Sequence, residues 1–248
     1  MREQLSEALG DPRVTLIYTP ISFLCHSLLP ESERLIAVPP VFLGDCEEGV
    51  AERLRALREM GFTKALAHTV GHIELLQKTG FEIFGGARLN CLNSETLSFL
   101  AGCGLRDTVV SAELTARQIN SLKKPFPIGF LAYGFLPLMI TRRCPIRDGK
   151  PCGTTCCGKS VTDRTGRKMR VVCSENTAEI LNSDALDLGD RLDAFQNVDF
   201  AVLKFTVEKK IGPILSAYAE GRRTGSVPVT RGLYFRGLDN GAEGREKA

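Results

Sequence analysis

Short apolar runs and longer stretches of helical spacing take turns along the chain. The runs VTLIYTP (14–20), RLIAVPPVF (34–42), KALAHTV (64–70), FEIFGGARLN (81–90), TVVSAEL (108–114) and IGFLAYG (128–134) are brief and rich in β-branched or aromatic residues, as buried strands are. Between them Val50, Leu54 and Leu57 recur at helical spacing, as do Leu97 and Leu100, with Phe99, behind an Asn93 or Ser94 cap. Thr115 to Gln118 reads as a capping box. Strand then helix, repeated at short intervals, is the pattern of a parallel sheet with helices outside it.

Further on, Asn176 and Glu179 are placed to start a helix and FAVLKFTV (200–207) reads as another buried strand. Val207, Ile211, Ile214, Leu215 and Tyr218 then form an apolar stripe ahead of Gly221. Roughly seven strands in alternation favour a (β/α) TIM-type barrel, or part of one, over a small open sheet. The division expected is a barrel portion over 1–141, a cysteine-rich insertion over 142–175, a returning helix, strand and helix over 176–238, and a frayed tail over 239–248. Within the insertion, SVTDRTGRKMRVV reads as a hairpin that turns at Arg164, Thr165 and Gly166.

Composition adds a size and a setting. With 248 residues, 43% hydrophobic and 25% charged, the chain can bury a real core. Its opening, MREQLSEALGDPR, is charged where a signal peptide would be apolar, and no run approaches ~18 apolar residues. The expectation is a cytoplasmic protein away from membranes. In a reducing compartment cysteines serve as metal ligands, redox groups or fillers more often than as disulfides.

Five of the nine cysteines lie between Cys144 and Cys173: Cys144, Cys152, the adjacent Cys156 and Cys157, and Cys173. Four thiolates there suffice for one metal centre. Zinc sites usually pair close cysteines twice, whereas iron–sulfur clusters accept looser spacing; an iron–sulfur centre, a zinc site and coincidence all stay open on spacing alone. Neighbouring side chains in an extended segment point opposite ways, so Cys156 and Cys157 do not both ligate. From Arg142 to Arg170 nine basic residues stand against Asp148 and Asp163, a net +7, which leaves −4 for the rest of a chain whose total is +3. Such a patch suits RNA or a small carboxylate, or it balances a thiolate centre.

In a barrel, chemistry sits where strands end. The residues at such ends are His68, Asn90, Asn93, Glu113, Tyr133, Arg142 and Arg143, with Arg164 on the hairpin. Glu113 fits a general base or a helix cap, His68 a ligand contact or a core histidine, and Asn93 a ligand contact or an N-cap. The arginines suit carboxylate or phosphate as planar bidentate donors. No HExxH and no GxSxG occurs.

YGFLPLMITRRCPI, followed by TDRTG and Cys173, resembles the collagenase-like peptidase family U32. GGARLNCLNSETLSFLAGCG with SAELTARQI, and VPVTRGLYFRG near the end, extend the likeness over most of residues 81–237. The resemblance implies a (β/α) barrel and a 4Fe-4S cluster on Cys144, Cys152, Cys157 and Cys173, with Cys156 as alternate to Cys157. It implies oxygen-independent hydroxylation, of ribosomal or transfer RNA pyrimidines or of quinone precursors, with prephenate as hydroxyl donor in the RNA cases. RNA, not DNA, is then the expected partner. The chain looks like the half that follows the large inserted domain of the long RNA-modifying members. An N-terminal half-barrel chain, or self-association, is therefore expected to cover an edge formed by 14–20 and 34–42. A collagenase-like protease and a catalytically silent half-barrel serving as partner or RNA-binding module are the alternatives.

Overall fold

Each β/α unit is built by local rules that the sequence obeys. In the computed structural model, which describes residues 2–146, 159–174, 177–225 and 228–237, helix α1 (Arg2–Gly10) precedes strands β1 (Ile17–Pro20) and β2 (Leu35–Val38). Helix α2 (Glu47–Met60) buries Val50, Ala51, Leu54 and Leu57 as one stripe, carries Glu47 and Glu48 in its first turn, and ends at Gly61 with φ 113°, which a residue without Cβ adopts freely. Then follow β3 (Lys64–Ala67), α3 (Val70–Lys78), β4 (Glu82–Gly85), α4 (Ser94–Gly102), β5 (Leu105–Val109), α5 (Ala116–Asn120) and β6 (Ile128–Thr141). Asn93 caps α4, accepting from the Thr96 N–H at 2.8 Å, and Thr115 with Gln118 forms the capping box of α5.

Strands β1 to β6 pair in chain order, all parallel, and β10 (Phe200–Leu203) adds to β6, also parallel. Side chains alternate across this sheet. Leu35, Ala37, Ala65, Ala67 and Ile83 enter the large core under the helices, while Ile36, Leu66 and Phe84 form a separate cluster with Tyr18 and Val38. The Asp107 charge reaches Tyr18, although β5 and β1 stand four strands apart, roughly 19 Å on a flat sheet. The sheet is therefore curled, with both residues on its concave side. This is a partial (β/α) barrel.

The two ends of the curled sheet are joined by helices. Ile17 of β1 and Leu203 of β10 pack on one cluster of Ala8, Ile211 and Leu215, contributed by α1 and by α6 (Gly212–Ala219) with the residue before it. Glu7 of α1 accepts the Ile211 and Gly212 N–H groups, each at 2.8 Å, which satisfies donors at the start of α6. The run 34–42 is thus no edge: Leu35, Ile36 and Ala37 are fully buried between β1 and β3.

Strand β6 has 14 residues and serves two parts of one continuous sheet. Its first half lies in the barrel; its second half pairs antiparallel with β9 (Thr177–Asp187), which pairs with β8 (Lys168–Ser174), which pairs with β7 (Ser160–Thr162). The switch falls at Gly134, φ 123°, where a Cβ would stand 2.2 Å from the Lys204 carbonyl oxygen, so only glycine lets β10 close onto β6 there. The helix expected from Asn176 and Glu179 is contradicted from Thr177 on, where strand β9 runs, because pairing with both β6 and β8 outweighs the local cap signal; Asn176 itself lies outside the described residues. The hairpin turn is as expected, with the Asp163 carboxylate accepting the Thr165 and Arg167 N–H groups. The short strand β11 (Val229–Thr230) runs beside β9 and delivers Tyr234, 1% exposed, into a cluster with Phe130 and Phe195. The tail at 239–248 lies outside the described residues.

Candidate functional site

Residues that follow the barrel strands gather at one mouth. His68 comes after β3, Arg88 and Asn90 after β4, Ser111 after β5 and Lys204 after β10. Gly86 makes room for the first of these: a Cβ there would lie 3.1 Å from His68 Nδ1 and 3.2 Å from the Ala67 carbonyl. Asn90 sits in the left-handed region, φ 51°, and its Oδ1 accepts from the Ser111 hydroxyl. An asparagine tolerates this backbone better than most residues.

The β6–β9–β8–β7 ribbon arches across that mouth. Glu179, near the start of β9, accepts from Arg88 at 2.6 Å and from Lys204 at 3.0 Å, and all three side chains are mostly buried. On the other flank Arg142, just past β6, lies over Gly44 in the segment after β2. The ribbon end thus touches the barrel after β2, after β4 and after β10. Across the ribbon Ala178 is in register with Thr141 on one side and with Cys173 on the other. Cys173, which is exposed, and Cys144, partly exposed, therefore share the end that lands on the mouth. Cys152, Cys156 and Cys157 lie outside the described residues. Among the described residues no three His, Cys, Asp or Glu side chains are grouped to hold a metal.

Proton affinities follow from these surroundings. Burial, helped by His72 and Arg88 and opposed by Glu179, lowers His68 to about 3, so the imidazole is neutral at pH 7. Its Nδ1 is buried without a hydrogen-bond partner. Burial pushes Glu179 up, but Lys204 and Arg88 more than reverse this and hold it below the usual carboxylate range. Burial raises Tyr133, and the neighbouring Glu208 raises it further. Two cations, one carboxylate and a neutral imidazole leave the mouth net positive.

Of the residues expected from sequence, His68, Asn90 and the Arg142 end of the ribbon come together at the mouth. Tyr133 is 2% exposed, packed against Phe205 and Tyr218 beneath it. Asn93 spends its Oδ1 on the α4 cap. Glu113 is exposed and caps nothing, the α5 cap being Thr115. Arg143 is exposed beside Thr141, and Arg164 is exposed in the hairpin turn, at the opposite end of β8 from Cys173. Sequence reading passed over Arg88, Lys204 and Glu179. The first two stand in plain sight, inside GGARLN and directly after FAVL, and the rule that strand ends carry chemistry would have found them. Glu179 was hidden by the helix expected around it.

A parallel barrel with a polar mouth roofed by a cysteine-bearing ribbon defines the class of protein. The chain belongs to peptidase family U32, whose family model matches residues 41–204, a span that contains His68, Arg88, Cys144, Cys173, Glu179 and Lys204. No curated protein and no solved structure matched the chain. No described helix is long and apolar enough to cross a membrane.

Proposed function

We propose that this chain is an iron–sulfur member of the family that takes part in oxygen-independent hydroxylation of RNA pyrimidines. Cys144, Cys152, Cys157 and Cys173 are the cluster ligands, with Cys156 as alternate. The observation that carries this is the meeting of the cysteine end of the ribbon with the mouth, through Glu179 between Arg88 and Lys204 and through Arg142 on Gly44. When bound, the cluster would supply electron transfer beside the substrate. The positive mouth suits a small carboxylate such as prephenate as hydroxyl donor, and neutral His68, with its Nδ1 unpartnered, suits a hydrogen bond to that ligand.

The basic face divides on inspection. Arg167 is paired with Asp184 at 3.1 Å and Arg170 lies 4.8 Å over the Phe135 ring, so these two brace the ribbon. Lys159, Arg164 and Lys168 are exposed and are the ones assigned to RNA. Anaerobic purification tests the reading: brown protein with about four iron per chain is expected, and Cys144→Ser or Cys173→Ser loses the iron. A colourless, iron-free protein under those conditions overturns it.

A further inference from the structure

We infer that Glu179 is a positioning residue that fastens the cysteine end of the ribbon to the barrel and holds Arg88 and Lys204 around His68. Glu179 stands in register with Ile140 of β6 and Val172 of β8, one residue from the Ala178 that faces Cys173. Its carboxylate takes one bond from each side of the mouth, from Arg88 after β4 and from Lys204 after β10. Lys204 is itself fixed at the backbone, its N–H bonded to the Tyr133 carbonyl at 2.8 Å beside the Gly134 switch. One side chain therefore ties the β4 loop to the ribbon, and adds a side-chain tie between the ribbon and the β10 end, which the backbone joins only through β6.

An exposed ion pair would add little. Here one carboxylate, 18% exposed, answers two cations, and removing it leaves both cations partly buried without it, which is the costly way to break such a network. The inference rests on the fold and the bonds of Glu179, and it stands whether or not the chain carries iron or meets RNA.

The test is Glu179→Gln in the whole chain, read by hydrogen exchange resolved along the sequence and by imidazole nitrogen resonances. Exchange over 171–180 should rise about tenfold or more while α2 and β3 keep their rates, and the His68 resonances should move because its two cationic neighbours have shifted. Unchanged exchange with unmoved His68 resonances overturns the inference, as does an equal rise in every segment, which would mean general loosening. Should Glu179→Gln fail to fold, Arg88→Met and Lys204→Met replace it. Each single change should loosen the same 171–180 segment, and the double change should add little to either. Loosening confined to each residue's own segment, or fully additive effects, overturns it.

Discussion

Asp107 and His68 place opposite demands on the pH of the solution. Asp107 is 6% exposed on the concave side of the sheet, with Oδ1 lacking a partner. Burial raises it from 3.8 to about 7, against a small lowering by the Gly85 N–H. The folded state keeps the proton that the unfolded chain releases, so the Asp107 contribution to stability falls as pH climbs from about 4 to about 7 and is level above. His68 does the reverse: lowered from 6.5 to about 3, it costs stability as pH falls through that window. At ~1.4 kcal/mol per tenfold change in proton affinity, each effect is on the order of 4 kcal/mol, and they cancel between about pH 4 and 6.5. Asp107→Asn should therefore raise the melting temperature at pH 8 and uncover a stability that rises steeply from pH 4 to 6.5; His68→Gln should uncover the fall. Thermal melts across pH check both, and parallel profiles for wild type and variants refute the assignment. Neither effect was legible in the sequence, since LRDTV does not say which way Asp107 points and a lone histidine does not say what surrounds it.

At the scale of elements, locally determined features were readable and pairing-determined ones were not. The Asn93 cap, the Thr115 box and the turn at Arg164 to Gly166 each depend on residues within four positions of one another, and all formed as the sequence indicates. Strand β9 depends on cross-strand pairing, with β8 only 3 to 9 residues upstream and with Pro137 to Thr141 of β6 37 or more upstream, which a cap signal does not report, so ENTAEI could pass for a helix start. Two substitutions measure the difference. Thr115→Ala removes the hydroxyl that accepts the Gln118 N–H and should cost about 1 kcal/mol, a fall of roughly 2–4 °C in a chain of this size. Gly134→Ala pushes a Cβ onto the Lys204 carbonyl at a positive φ, and should cost more than the lost cap and displace Lys204 from Glu179. A calorimetric melt ranks them, and a Gly134→Ala protein as stable as wild type would refute the described switch. The hairpin belongs at this scale too: charge reversal at Arg164 should lower the salt slope of RNA binding by about 1, with iron content unchanged.

For the whole molecule the expected partial barrel is present, but its ends meet differently from the expectation. Instead of an edge bare along 14–20 and 34–42, β2 is internal and the gap between β1 and β10 is filled by α1 and α6. By sequence MREQLSEALG stands out only for its charge and no helix is read there, because the buried face of α1 is narrow: Ala8 is its one buried residue. We propose that a strand-supplying partner, or a second copy, adds at β1, and that α1 competes for that position. Deleting residues 2–10 uncovers apolar surface on Ile211 and Leu215, so the shortened chain should associate at concentrations where the intact chain does not. Sedimentation velocity decides this, and identical profiles would show that α1 guards nothing.

The double service of β6 also governs how freely this protein can change length. The strand belongs to the barrel up to Gly134 and to the ribbon beyond it, and Thr141 and Cys173, near the two ends of the connection that follows, both face Ala178. Because that separation is fixed by the ladder, adding residues between Ile146 and Lys159 while keeping the proposed ligands Cys152 and Cys157 should cost chiefly loop-closure entropy, about 0.6 kcal/mol for each doubling. Barrel registers are untouched by such edits. The ribbon thus fixes where the two ends of that connection lie, whatever its length.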